Sequence, residues 1–244
     1  DAFLSDADLF FNEGFFQEEP FKTYKAYFNA ANIWVTFKDA KLAVSDTINP
    51  AVFAEQIIGM HYPRNKSIAT ISIATSIRTG GYGGPGGYPG DDTRLIGQVI
   101  SRGDFLNRPP REFDTEYVYR NYRTIFLHDL GHVVNLGEEY NGFGTSTMEP
   151  RKGEMGYANT TRVTQRDKIR WKHWIDPNTP IPTPNDLAYK DVVGLFLGSA
   201  NRSSNWYRPK FACMMRDQIS PFCEVCREAL VLEIYRHVSP IDST

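Results

Sequence analysis

The sequence predicts an α+β fold organised as one domain over residues 1–244, and three observations carry that expectation. Segments with strand-type alternation are concentrated in the first hundred residues. They are followed by one long helical pattern that holds two histidines four positions apart. Beyond it come Gly- and Pro-broken stretches and short apolar helices, with no repeat and no linker that divides the chain. An upper part of about residues 1–137 and a lower part of about residues 138–244, with a cleft between them, is the expected division of that domain.

The elements follow from local chemistry. Glu19 to Ala31 spaces Phe21, Tyr24, Tyr27 and Phe28 in a helical stripe, which predicts an amphipathic helix. Asn32 to Phe37 is β-branched and aromatic and predicts a strand, and Asn49-Pro50 opens a short helix through Ile58. Lys66 to Ile77 alternates isoleucine with small polar residues and is the clearest strand pattern. Thr79 to Gly90 holds so many glycines that an irregular rim loop is expected, and neither a Walker nor a dinucleotide fingerprint is present there. Leu95 to Ser101 reads as a further strand.

A long helix is expected from an Asp114 N-cap through His128 and His132 to about Gly137. Asn141 to Thr161 reads as irregular, Arg166 to Ile175 as a short aromatic helix, and Pro177 to Pro184 as a broken loop. Asp191 to Gly198 predicts a strand, and Pro221 to His237 a helix with Ala229, Leu230, Leu232 and Ile234 as its apolar positions.

Composition excludes some function classes. Hydrophobic residues at 41% and charged residues at 23% are ordinary for a folded domain. A formal net charge of −2 offers no electrostatic basis for nucleic acid or an anionic membrane as partner. No run approaches the roughly 18 apolar residues of a membrane span. The chain begins at Asp1 without the basic and apolar regions of a signal peptide, as any processed or trimmed chain would. The aromatic share of 14% predicts extensive ring packing. Cys213, Cys223 and Cys226 cluster near the C-terminus. They permit a Cys213 disulfide to Cys223 or Cys226 in an oxidising compartment, and with only Cys213 near the Cys223-x-x-Cys226 pair a four-ligand structural zinc site is not expected.

The chemistry-bearing stretch is His128-Asp129-Leu130-Gly131-His132. Side chains four apart on a helix lie one turn above the other, so both imidazoles can reach one metal ion. The zinc peptidase signature H-E-x-x-H places a Glu general base at the second position, where this chain has Asp129. Gly131 removes a side chain within the motif, and Glu138-Glu139-Tyr140 follows the helix with oxygen ligands. Several other polar residues have both functional and structural readings. Tyr140 or Tyr207 could donate to an oxyanion or serve as buried structural tyrosines. His173 reads as a packing or hydrogen-bonded histidine. Arg208 and Arg216 could bind a substrate carboxylate, with salt bridges holding the chain around Met214 as the structural reading. Cys223 could be a reactive thiol near a helix start, or a buried or disulfide-bonded one.

At this point the chain resembles a known family. HDLGHVVNLGEEY is similar to the H-E-x-G-H...D-E-Y element of the IgA peptidase family, zinc metallopeptidases mostly from gut bacteria. EPFKTYKAYFN, YGGPGG, KIRWKHWI, VGLFLGS, YRPKFACMMR and PFCEVCREAL resemble other family segments in the same order. The resemblance implies a zincin, metzincin-like catalytic domain, with a twisted mixed sheet packed on the long zinc helix and an irregular and helical C-terminal part. It implies zinc held by His128, His132 and Glu138, which stands ten positions after the first histidine, with Glu139 as the fallback. Asn135 stands where metzincins commonly turn on a glycine, and Asn tolerates the left-handed conformation. Met214 or Met215 would form an apolar floor beneath the metal.

The implied activity is a zinc-dependent endopeptidase acting on a host or dietary protein or peptide, in a secreted or cell-surface setting. Two neutral imidazoles and a carboxylate leave zinc an open position for water. Asp129 would be the general base, one methylene shorter than Glu, a displacement of about 1 Å that can lower rate on the order of 100-fold. The alternative is a zincin-fold module that binds zinc and a protein or glycoprotein partner and has lost the reaction; Asp129 is the feature that raises it.

Overall fold

The computed structural model describes residues 9–28, 69–74, 84–85, 95–101, 124, 127–132, 134–142 and 156–238. The expected strand at Asn32–Phe37, the helix opened by Asn49-Pro50 and the Asp114 N-cap lie outside the described residues. The chain forms two compact units, Asp1–Val133 and Val134–Thr244. Helices and small sheets occur together, which makes the architecture α+β.

In the first unit an aromatic cluster organises the N-terminal segment. Phe15 is buried, with Phe21 stacked on it at 4.3 Å and Phe28 meeting it edge-on at 5.4 Å. Two members of the stripe read from the sequence, Phe21 and Phe28, join this cluster while Tyr27 is exposed, and the stripe is not carried by an α-helix. Over the described residues the chain runs as turns closed by a 3-10 segment, Lys25–Tyr27. The Tyr27 amide donates to the Tyr24 carbonyl and that of Phe28 to Lys25, both three residues back. Wrapping Phe21 and Phe28 around one ring pair demands a tighter path than a regular helix provides.

Three strands follow: β1 (Ala69–Ala74), β2 (Gly84–Pro85) and β3 (Leu95–Ser101). β1 and β3 are parallel, from Ala69 opposite Leu95 to Ala74 opposite Ser101, with a register shift between Thr70 and Ser72. β2 runs antiparallel along the other side of β3, placing Gly84 opposite Ile96 and Pro85 opposite Leu95. The glycine-rich insert is thus not wholly irregular. Its Gly84-Pro85 pair makes a short outer strand, a position where proline's missing N–H is tolerated. Thr124 and residues 127–132 are helical, with Leu127, His128 and Leu130 buried.

The second unit is built on a hairpin of β4 (Phe196–Ser199) and β5 (Arg202–Arg208). Phe196 pairs with Arg208 and Ser199 with Arg202, so Ala200 and Asn201 form a two-residue turn, both at positive φ (53° and 60°). That is the turn geometry whose twist suits adjacent strands. The predicted strand from Asp191 begins later, at Phe196: the 3-10 turn Leu187–Tyr189, capped by the Asp186 carboxylate, is followed by a further turn in which the Val192 amide donates to the Tyr189 carbonyl. β5 was not foreseen: its first residues are polar and exposed, and only Trp206 and Arg208 turn inward. The expected helix over Arg166 to Ile175 is two 3-10 turns, Arg166–Lys168 and Lys172–Trp174. Ile169 and Trp171 are both buried, and positions two apart cannot share one face of an α-helix.

A short helix, Met214–Asp217, precedes the C-terminal helix Glu224–His237. The latter starts three residues after Pro221, whose carbonyl instead accepts from the Met214 amide at 3.1 Å. Its buried face is Val225, Cys226, Leu230 and Ile234, whereas Leu232 is exposed. Trp171, Phe196, Trp206, Met214, Met215 and Phe222 fill the core of this unit.

Candidate metal centre

The histidine helix brings its two imidazoles together. His128 Nε2 and His132 Nε2 lie 3.1 Å apart, with the rings at 90° and centroids separated by 4.7 Å. Two nitrogens bound to one zinc at about 2.05 Å and the tetrahedral angle would sit about 3.3 Å apart. The pair therefore fits as two ligands of a single ion. Asp129 is buried, and one of its carboxylate oxygens lies within 4.8 Å of a ring nitrogen of each histidine. These three residues form a donor group with the chemistry of a metal centre: two soft-to-borderline nitrogens and a carboxylate beside them.

After the helix the chain turns at Asn135, whose φ of 67° is left-handed, the role the sequence assigned to it. The turn thus comes at Asn135, before the Gly137 expected to stop the helix. Asn159, fully buried, holds the next residues by three hydrogen bonds. Its Oδ1 accepts from the Gly137 amide at 2.7 Å, and its Nδ2 donates to the Gly137 carbonyl at 2.9 Å and to Glu139 Oε1 at 2.8 Å. The Glu138 carbonyl accepts from Ala200 N at 2.7 Å, and the Glu139 amide donates to the Met215 carbonyl at 2.9 Å. The two glutamates are thereby tied to the hairpin turn and to the methionine turn, the short helix Met214–Asp217.

The side chains of the two acids differ. Glu138 is half-buried, while Glu139 is fully buried among Cys213, Cys223 and Cys226. Burial pushes the Glu139 carboxyl well above the ordinary carboxylate range. Met214 and Met215 are both buried, directly after Cys213. All three thiols are free and buried, and burial pushes those of Cys213 and Cys226 up. Burial acts on Cys223 in the same sense. Hydrogen bonds from the other two thiols and from the Cys226 amide outweigh it and hold Cys223 well below the usual thiol range.

Among the remaining candidates, the two arginines and His173 have structural partners. Arg208 is buried and donates to the Leu197 and Gly198 carbonyls and to Asn185 Oδ1. Arg216 donates to the Phe211 carbonyl and lies over that ring at 5.2 Å. Both arginines hold backbone carbonyls where salt bridges had been expected. His173 pairs with Glu228 at 3.0 Å on an exposed surface. Tyr207 lies in β5 opposite Leu197, and the Tyr140 carbonyl accepts from Asn201 N at 3.2 Å. Sequence reasoning missed Asn159, which stands in a polar, Gly-rich stretch without a periodic signal. It also missed Glu139 as a companion of the cysteines, which lie more than seventy positions downstream.

Paired histidines with an adjacent buried carboxylate have the donor chemistry of a hydrolytic metal site. Comparison suggests a metallopeptidase: a model of the family described as IgA Peptidase M64 matches residues 114–191. The matched span includes His128, Asp129, His132, Glu138, Glu139 and Asn159. Over that span the chain resembles this peptidase family, as its motifs implied. Comparison with curated proteins returns no match. Among the described residues no helix is long and apolar enough to cross a membrane.

Proposed function

We propose that this chain is a secreted or cell-surface zinc endopeptidase of zincin type, with His128, His132 and Glu138 as ligands and Asp129 as general base. The observation that carries the reading is the 3.1 Å approach of the two histidine Nε2 atoms beside the buried Asp129 carboxylate, inside the span matched by the peptidase family. Glu139 is engaged by Asn159 and Cys226, which leaves Glu138 as the acidic candidate for the histidine site. Zinc held there supplies Lewis acidity, acidifying a water toward neutrality and polarising a peptide carbonyl. Asp129 accepts the proton of the attacking water and returns it to the leaving amine. His128 and His132 hold the pair of nitrogens in register one helical turn apart. The substrate class is protein or peptide.

Asp129 in the position of the family's Glu favours a second reading, a zinc-holding module that binds a protein or glycoprotein without turnover. The deciding experiment measures zinc content and casein cleavage for the chain and for the double variant His128→Ala/His132→Ala. The proposal expects cleavage abolished by chelation, and loss of both cleavage and one equivalent of zinc in the variant. Zinc at the histidines without cleavage supports the binding module. A zinc content unchanged by the double substitution overturns the ligand assignment.

A further inference from the structure

We propose a second metal site, a closed structural zinc centre made by Cys213, Cys223, Cys226 and Glu139. One ligand atom from each of the four residues lies within 4.8 Å of every other, and all four side chains are buried. The site is distinct in residues and chemistry from the histidine pair.

Several features support it. Cys213 Sγ and Cys226 Sγ are 3.7 Å apart, far from the roughly 2.05 Å of a disulfide. Two sulfurs bound tetrahedrally to one zinc at about 2.3 Å would be about 3.8 Å apart. Cys226 Sγ and Glu139 Oε1 are 3.2 Å apart, against about 3.6 Å for a sulfur and an oxygen sharing that ion. Glu139 Oε2 is buried and has no hydrogen-bond partner among the described residues. An uncompensated carboxylate oxygen in the interior is costly, and a cation is its natural complement.

The surroundings match what a thiolate-rich centre requires. The Cys223 amide donates to Cys213 Sγ at 3.3 Å, and Asn159 Nδ2 orients the Glu139 carboxylate at 2.8 Å. Three thiolates and a carboxylate around a divalent ion leave an excess of negative charge. Arg208, itself buried, interacts electrostatically with both Glu139 and Cys213. The donor set is fourfold, three soft thiolates and one harder carboxylate oxygen, all of them zinc ligands, which suits a closed tetrahedral site and leaves no position open for water.

The consequence is mechanical. Glu139 belongs to the segment that follows the histidine helix, Cys213 begins the methionine turn, and Cys223 and Cys226 open the C-terminal helix. One ion would staple three segments distant in sequence and hold Glu138, the neighbour of a ligand, in a defined place.

The test uses the whole chain and its His128→Ala/His132→Ala variant, each loaded with cobalt(II) in place of zinc. The expected result is a thiolate-to-cobalt charge-transfer absorption in both proteins, one equivalent of metal retained in the variant, and three thiols titrated after unfolding in chelator. Glu139→Gln, which preserves size, should weaken retention of this equivalent by more than tenfold while leaving the histidine equivalent bound. Absence of thiolate charge transfer in the unmodified chain overturns the proposal, whatever the histidine site does. One titratable thiol instead of three identifies a disulfide and overturns it equally.

Discussion

Replacing Asp129 separates a catalytic carboxylate from a bystander. Asp129→Asn keeps the size of a buried side chain and removes the ability to accept a proton. General-base catalysis contributes about 10²- to 10⁴-fold, so kcat on casein should fall by that factor, or about 2.7–5.4 kcal/mol in the barrier. Asp129→Glu extends the carboxylate by about 1 Å toward the position used in the H-E-x-x-H arrangement, where a correction of that size can raise kcat by up to about 100-fold. The gain has a folding cost. Asp129 is 7% exposed, and an added methylene at so buried a site lowers stability by about 1–3 kcal/mol. Single-turnover cleavage of a fluorogenic casein, with zinc content and unfolding midpoint measured on the same samples, reads all three quantities. An Asn variant with undiminished kcat and full zinc would refute the role of Asp129 as base. A Glu variant as slow as the Asn variant, yet folded and zinc-loaded, would show that reach is not what limits the reaction.

Three further outcomes are expected. Asn159→Ala strands the buried Gly137 amide and carbonyl and removes one of the two donors to Glu139 Oε1, leaving Cys226 Sγ. It should lower the unfolding free energy by about 3 kcal/mol or more in urea titrations, and reduce casein cleavage with it. Gly194→Ala would place a methyl 2.9 Å from Thr183 Cβ. Thr183 cannot swing aside because its hydroxyl joins the Pro180 carbonyl to the Leu195 amide, so a loss of about 1–3 kcal/mol is expected by thermal unfolding. Asn135→Val should be about 1–2 kcal/mol less stable than Asn135→Gly, since only the glycine accepts the 67° φ without strain; equal midpoints would remove the turn from the argument.

How far the sequence reached can be followed element by element. β3 was legible from Leu95 to Ser101 because its β-branched, apolar composition suits an extended backbone wherever its partner lies. The aromatic stripe after Glu19 was legible in part as ring packing, through Phe21 and Phe28, but not as a backbone path. The rings of Phe15 and Phe16, which decide how tightly it turns, lie outside the periodic window. The same holds for Arg166 to Ile175, where burial of both Ile169 and Trp171 overrides a helical reading. β5 gave little signal, since its polar first half is exposed and its turn depends on Ala200 accepting a positive φ.

At the site, the histidine pair was determined by sequence alone: a four-residue interval on a helix places two imidazoles together through the helical repeat. The left-handed turn at Asn135 was readable through the family resemblance, which puts a turn there, and Asn is among the few residues besides glycine that tolerate that conformation. Only tertiary structure could distinguish the surroundings of Glu138 and Glu139, which are chemically identical and adjacent. Glu139 is drawn inside by Asn159 and by three cysteines from the far end of the chain, an encounter that no local pattern encodes. Short-range geometry follows from covalent periodicity, whereas the choice between equivalent acids depends on which distant groups the packed core brings beside them.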